Sequence, residues 1–348
     1  MINLTEQTSL KIPFFAKNCI TLQNETPEIL AHLSEQAKLY KSVFILGNGT
    51  NLVAKENFDG LVIKMNLSGK QILNETDSEI IIAANAGENW HDFVLWCINN
   101  NAYGLENLSH IPGQVGSTPI QNVGAYGVEA GNFIDKVYVW NLQQKRYEIF
   151  ENPQCQFAYR NSIFKQQSYN KSANLIITKV IFRLPKADFW KANLSYADLQ
   201  NYFQNQTNIT PQKIVAALKI IRGNKIPDFQ KFPNVGSFFQ NPSVSAENLA
   251  ILQQKLSPTK IAFKWTDENQ KISARIAAAW LIENVGFKGK QIGNFSMSAQ
   301  HPLILVNHDG KGNRQELEEF IKLLQKEIAA KFGISLQPEP VFITDFKS

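Results

Sequence analysis

Short apolar runs alternate along the chain with segments whose apolar residues recur at helical spacing. Thr26-Pro27 supplies an N-cap and first-turn proline, and Ile29, Leu30 and Leu33 follow on one helical face. Ser42–Leu46, Leu61–Ile63 and Glu79–Ala84 read as buried strands, and the early alternation as a small α/β unit. A helix carrying Trp90, Phe93, Val94, Cys97 and Ile98 comes next, with Gly104 as its expected stop. Strands are predicted near Val137–Trp140 and Leu175–Leu184. Thr210–Gly223 carries every mark of a helix: cap, first-turn proline, apolar stripe and a C′ glycine. Lys225-Ile-Pro-Asp228 then reads as a linker into a further unit, with helices over Ser273–Glu283 and Arg314–Lys331. In the latter, Leu317, Phe320, Ile321, Leu324 and Ile328 share a face, and Gly333 ends it. No internal repeat or low-complexity segment interrupts this order.

At 348 residues the chain has room for roughly two to three domains. With 44% hydrophobic residues it can bury a sizeable core, and 35 basic against 30 acidic residues leave only +5. Lacking a Lys/Arg block, it gives no sign of a nucleic-acid surface, although a modest positive bias suits an anionic nucleotide. Cys19, Cys97 and Cys155 are odd in number and far apart, which argues against a disulfide framework and a zinc site. Neither a signal-like start nor a membrane-length apolar run is visible, so a cytoplasmic location is expected.

The chemistry concentrates in Asn107–Gly127, a nearly uncharged stretch holding Gly113, Gly116, Gly124 and Gly127. Such a composition suits backbone laid against a phosphate-bearing cofactor, because glycines let N–H groups converge without a Cβ in the way. A following helix start would add its dipole. Gly47–Asn51, behind the apolar run Val43–Leu46, is a second loop of this kind. Taken alone, either loop also fits a tight structural turn; two together fit one dinucleotide held from two sides.

Leu46-Gly-Asn-Gly-Thr-Asn-Leu52, Ala86-Gly-Glu88 with Trp90-His91, Gly104-Leu-Glu-Asn-Leu108 and Ile111-Pro-Gly through Gln121-Asn-Val-Gly-Ala-Tyr-Gly127 resemble the UDP-N-acetylenolpyruvoylglucosamine reductases. These are flavoproteins of bacterial peptidoglycan precursor synthesis. Tyr159-Arg-Asn-Ser-Ile-Phe164, Gly236-Ser-Phe-Phe239 and Gln337-Pro-Glu339 carry the likeness over nearly the whole chain. The resemblance implies an α+β fold: an FAD-binding domain of the vanillyl-alcohol-oxidase type in two subdomains, plus a separate α+β substrate-binding domain. It places the first subdomain at 1–70, the second at 71–226 with 334–348, and the substrate domain at 227–333.

The implied reaction saturates an enolpyruvyl ether with NADPH as co-substrate and non-covalent FAD as intermediary. Gly47, Asn48, Gly49, Thr50, Asn51, Gly113, Gly116, Ser117, Asn122, Gly124, Ala125 and Tyr126 match the cofactor loops. Ser237 matches the proton donor, Arg160 the arginine facing the substrate carboxylate, and Glu339 the carboxyl group that assists the enolate. Lys225, Asn241 and Tyr196 match the grip on diphosphate and uracil, with Tyr196 in the insertion of the longer of two types; Gln300 is a further substrate contact. One departure stands out. The family's glutamate is followed by an apolar residue and an arginine, whereas here Glu339 is followed by Pro340 and Val341.

No metal is called for, none of the five histidines is needed, and no obligate protein partner or membrane contact is evident. A rival reading keeps the FAD fold but acts as an oxidase or dehydrogenase of another alcohol or sugar; it leaves Gly236–Phe239 and Lys225 without a role. A non-catalytic flavin or nucleotide-sugar binder is opposed by intact Arg160, Ser237 and Glu339.

Overall fold

Strand Asn57–Met65 runs through the middle of the first sheet with Leu61, Val62 and Ile63 fully buried. It pairs in parallel with Phe15–Leu22 on one side and Val43–Leu46 on the other, and Ile2–Asn3 closes one edge antiparallel. Because side chains alternate along a strand, its two faces serve two cores. Leu61, Ile63 and Met65 pack with Leu30, Leu33 and Ala37 of helix Pro27–Ala37, while Phe58 and Val62 join residues of the C-terminal unit. Thr26 caps that helix as its sequence predicts, its Oγ1 accepting from the Ile29 N–H at 3.4 Å. These relations come from a computed structural model, which describes residues 1–169, 175–245, 247, 249, 262–266 and 272–344.

The second sheet is antiparallel, in the order Arg146–Glu151, Ile134–Asn141, Leu175–Pro185, Glu79–Asn85 and Lys70–Glu75. Helix Trp90–Asn99 covers it through Trp90 and Phe93, whose rings lie 6.0 and 4.9 Å from that of Phe182. The helix stops well before Gly104. Asn100 caps it and Asn101 takes the left-handed conformation at φ 57°, a role asparagine fills more readily than other non-glycine residues. Gly104, at φ 111°, is needed for another reason: a Cβ there would lie 2.4 Å from the Phe133 ring.

Helix Pro211–Gly223 is capped by Thr210 and buries Ile214, Ala217 and Leu218 against Leu199 and Phe203. Gly223 is its last helical residue rather than its C′ glycine. The Lys225 and Ile226 N–H groups both return to the Arg222 carbonyl, which tightens the exit into the expected linker.

In the C-terminal unit a four-stranded sheet runs Asn234–Ser237, Ile304–Asn307, Phe295–Met297 and Gln291–Ile292. Helix Arg314–Phe332 lies over it with its predicted face buried, between an Asn313–Glu316 capping box and left-handed Gly333. The helix expected from Ser273 begins only at Ala278. Ile272–Ile276 is instead the middle strand between Ser243–Ser245 and Ala262–Thr266, where non-local pairing overrides the helix-forming Ala-Arg pair. Val341–Phe342 pairs in parallel with Leu52–Val53, while nearby Glu339 reaches Arg160, so the tail meets both earlier segments. Residues 345–348 of that expected tail lie outside the described residues.

Candidate active site

The two glycine loops meet. The Asn48 side chain donates to the Gly113 carbonyl at 3.3 Å, Thr50 Oγ1 to the Pro112 carbonyl at 3.3 Å, and Asn51 Nδ2 to Gln121 Oε1 at 2.7 Å. Close approach explains two glycines: a Cβ on Gly47 would sit 2.9 Å from Gln114 Oε1, and one on Gly116 would sit 2.5 Å from Ala86 Cβ. Neither loop opens into an α-helix. Gly47–Asn51 leads into strand Leu52–Val53, and Gly113 is followed by the single 3-10 turn Val115–Ser117. Backbone groups and small side chains, without a helix dipole, form this cradle.

Several predicted cofactor residues hold the cradle in shape. Ser117 Oγ donates to the Gln114 carbonyl at 2.7 Å. Buried Asn122, at φ 45°, donates to Glu129 Oε2 at 2.7 Å and the Ala158 carbonyl at 3.2 Å, and accepts from the Gly131 N–H at 2.8 Å. Gly124 and Ala125 pair with Glu129 and Val128, and the Tyr126 carbonyl accepts from Asn107 Nδ2 at 2.8 Å. Asn107 Oδ1 and Ser109 Oγ, in the central loop, are buried with no partner among the described residues, as is Oγ1 of Thr178, whose carbonyl takes the Ala86 N–H. Buried polar atoms of this kind need a partner. They fit a large polar cofactor such as FAD.

Beside this cradle three distant segments converge. Ala158 and Asn161 close a two-residue turn that puts Arg160 at φ 52°. Its Nη2 donates to the Gly124 carbonyl at 2.9 Å, and its Nε lies 3.0 Å from Glu339 Oε1. Nε itself is left without a hydrogen bond, and its contact with Glu339 is an ion pair. Burial opposes the guanidinium charge, but Glu339, Tyr159 and Glu129 outweigh it and the pKa of Arg160 is raised. Gly236–Phe239 and Gln337–Glu339 run side by side: the Glu339 N–H donates to the Phe238 carbonyl at 2.9 Å and the Gln240 N–H to the Gln337 carbonyl at 3.0 Å. Ser237 is thereby the chain neighbour of the residue that holds Glu339. Tyr159 carries Arg275 on its ring at 3.7 Å.

The expected nucleotide grip is less uniform. Lys225 Nζ lies 2.6 Å from Asp198 Oδ2, and half-exposed Tyr196, two residues before Asp198, stands edge-on to Tyr126 at 5.2 Å. Tyr126 in turn bonds Arg222; burial raises the pKa of the tyrosine and lowers that of the arginine. Asn241 Oδ1 accepts from the Ala278 N–H at 3.0 Å and so holds the start of a helix. Exposed Gln300 is fixed through its backbone N–H, which donates to Ser298 Oγ at 3.1 Å. Its neighbour His301 has a pKa lowered by burial and by Lys225, so this loop lies near the Lys225 ammonium.

Sequence reasoning missed Asp198, Arg222 and Lys165. Asp198 and Arg222 flank the insertion and linker as isolated charges, and no local spacing signals their partners. Lys165 directly follows the Tyr159–Phe164 motif, and its Nζ donates to the Arg160 carbonyl at 3.0 Å.

His91 and His110 form a second feature beside the loop. The His110 N–H donates to His91 Nδ1 at 3.2 Å, the rings lie 4.1 Å apart, and His110 Nε2 meets the Val215 carbonyl at 3.2 Å. Accepting at Nδ1 makes His91 neutral, and His110 Nε2 carries the proton that faces the carbonyl. Burial and the neighbouring His91 lower the pKa of His110 to about 4, and burial lowers that of His91. An unfolded histidine titrates near about 6.5 and so binds protons first as pH falls. Stability from this pair is therefore full above that pH and lost on descending towards about 4. Melting temperature should fall less steeply over this window in His110→Asn, a substitution that suits the left-handed φ 57°. Equal slopes would remove the pair from the acid response.

Comparison with known proteins gives the chain its family. The C-terminal domain of UDP-N-acetylenolpyruvoylglucosamine reductase matches residues 228–343, and an FAD binding domain matches residues 20–143. The chain is 41% identical over 302 residues to the UDP-N-acetylenolpyruvoylglucosamine reductase of Dechloromonas aromatica, covering 86% of this chain and 87% of that protein. Identity to the enzyme of the same name from Polynucleobacter asymbioticus is 37% over 321 residues, 92% of this chain and 89% of the relative. The crystal structure of UDP-N-acetylenolpyruvylglucosamine reductase from Thermus caldophilus has the same fold, at a TM-score of 0.67 and 19% identity over 99% of this chain and 98% of that one.

Proposed function

The chain belongs to the UDP-N-acetylenolpyruvoylglucosamine reductase family, and on that premise we propose that Arg160, Ser237 and Glu339 carry out its reaction. That reaction is the NADPH-dependent, FAD-mediated reduction of the enolpyruvyl group of UDP-N-acetylenolpyruvoylglucosamine to UDP-N-acetylmuramate, in peptidoglycan precursor synthesis. The observation that carries the assignment is the convergence of the Arg160 turn, the Ser237 strand and the Glu339 tail in one partly buried cluster.

Gly47–Asn51 and Gly113–Tyr126 would hold FAD non-covalently, and the bound flavin would supply the passage of hydride from NADPH to a vinyl carbon. Arg160 binds the substrate carboxylate with its planar fork and stabilises the negative charge that spreads into it. Glu339 orients that fork through its ion pair with Nε. Ser237 donates its hydroxyl proton to the carbon left electron-rich by hydride addition; a carbanion is basic enough to take a proton that ordinary bases leave in place. Residues 1–70 and 71–226 with 334–348 serve as FAD-binding subdomains and 227–333 as the substrate domain. No helix among the described residues is long and apolar enough to cross a membrane; the nucleotide substrates fit a cytoplasmic enzyme.

The purified protein should be yellow, bleach with NADPH in the absence of oxygen, and regain its colour with the enolpyruvyl nucleotide. Bleaching without recovery would favour another substrate on the same fold.

Lys225→Ala should raise KM for the UDP-sugar about tenfold or more and change kcat little, because a phosphate contact made in both ground and transition states is uniform binding. In the structure the ammonium is paired with Asp198, so nucleotide binding draws on a cation already held in place. An unchanged KM with a collapsed kcat would contradict the assignment.

A further inference from the structure

Arg160 is a non-glycine residue in the left-handed region, at the corner of the turn Ala158–Asn161. Such a conformation persists only where its surroundings hold it. One holder is Lys165, whose Nζ donates to the Arg160 carbonyl at 3.0 Å. The lysine is itself firmly placed. Ser162 Oγ donates to the Ile120 carbonyl at 2.6 Å and accepts from the Lys165 N–H at 3.3 Å, which ties the start of helix Ile163–Tyr169 to the glycine-rich loop.

Charge gives Lys165 a second task. Arg160 faces two carboxylates: Glu339, its ion-pair partner, and Glu129, which also takes the Asn122 amide. These three groups alone carry a net charge of minus one, a poor reception for an incoming carboxylate. Lys165 is half-buried beside them, within electrostatic reach of both Glu339 and Arg160. Its ammonium cancels the excess and leaves the Arg160 fork able to receive an anion.

Resting on the reading of the site as an enolpyruvyl reductase, we propose that Lys165 is a positioning residue for the substrate carboxylate: it locks the Arg160 turn through the backbone carbonyl and supplies the positive charge that lets an anion approach Arg160 beside Glu339. The carboxylate touches Arg160; Lys165 acts through it.

Lys165→Gln keeps an N–H donor for the Arg160 carbonyl and removes the charge, while Lys165→Arg keeps both. In Lys165→Gln, NADPH should reduce the flavin at the wild-type rate, whereas reoxidation at subsaturating enolpyruvyl nucleotide should slow about tenfold or more, with KM raised. Lys165→Arg should recover most of the loss. UDP-N-acetylglucosamine, which lacks the carboxylate, should bind all three proteins alike in a calorimetric titration. Wild-type reoxidation in Lys165→Gln would overturn the proposal, and so would equal weakening of UDP-N-acetylglucosamine binding, which marks a merely structural lysine. The wild-type arm separates the two levels: if its flavin is not reoxidised by the enolpyruvyl nucleotide, the functional reading fails and takes this inference with it.

Discussion

Ser237→Ala should leave reduction of the flavin by NADPH near its wild-type rate and slow reoxidation by the enolpyruvyl nucleotide about 10²–10⁴-fold, the usual cost of losing a positioned acid. The two halves separate because the hydroxyl acts only once negative charge has formed on substrate carbon. The fold supports this division of labour. Ser237 ends strand Asn234–Ser237 opposite Ile304, beyond a register shift and the left-handed Gly236 at φ 73°. Its neighbour Phe238 is fully buried and holds the Glu339 N–H through its carbonyl. Removing one hydroxyl oxygen from a half-buried position disturbs none of these contacts, so melting temperature should change little. Water entering the space left behind would place the loss nearer the lower end of the range. Anaerobic rapid-mixing absorbance of the flavin reads both halves separately. Wild-type reoxidation would make Ser237 a turn residue and overturn the mechanism.

Arg160→Lys should lower kcat/KM for the enolpyruvyl nucleotide about 10²–10³-fold, the scale on which preorganised charge stabilisation is lost. The guanidinium occupies two directions at once, with Nη2 on the Gly124 carbonyl and Nε against Glu339, and a carboxylate would be met by its remaining in-plane N–H groups. A lysine ammonium is a point charge and cannot span three such partners in one plane. Both KM and kcat should worsen, because the carboxylate is held in the ground state and gains charge in the transition state. Folding should survive, since a positive charge remains beside Glu339. Arg160→Met would strand a carboxylate whose side chain is 12% exposed, and breaking a buried pair in this way costs about 3–5 kcal/mol. Steady-state kinetics and thermal melting on the two variants therefore separate lost geometry from lost charge. A kcat/KM in Arg160→Lys equal to that of the wild type would remove the fork from the mechanism.

Local signals were enough wherever a few neighbouring residues settle the outcome. Thr26-Pro27 and Thr210-Pro211 start helices, Gly333 ends one, and the Leu317–Ile328 face is buried, because caps and helical period are properties of adjacent residues. The glycine loops and the Arg160, Ser237 and Glu339 segments were likewise legible as motifs, and with them the family. Tertiary structure decided the rest. Ile272–Ile276 became a strand through its partners on either side, and the Trp90 helix ended at asparagines while Gly104 made room for Phe133. Asp198 opposite Lys225, Asn241 at the start of a helix and the His91–His110 stack join segments that no short spacing connects, and only folding turns Lys165 back onto the Arg160 carbonyl. A sequence names the groups able to carry charge and donate protons; only folding fixes which of them come within a few ångströms, and electrostatic and hydrogen-bond energies depend on that distance.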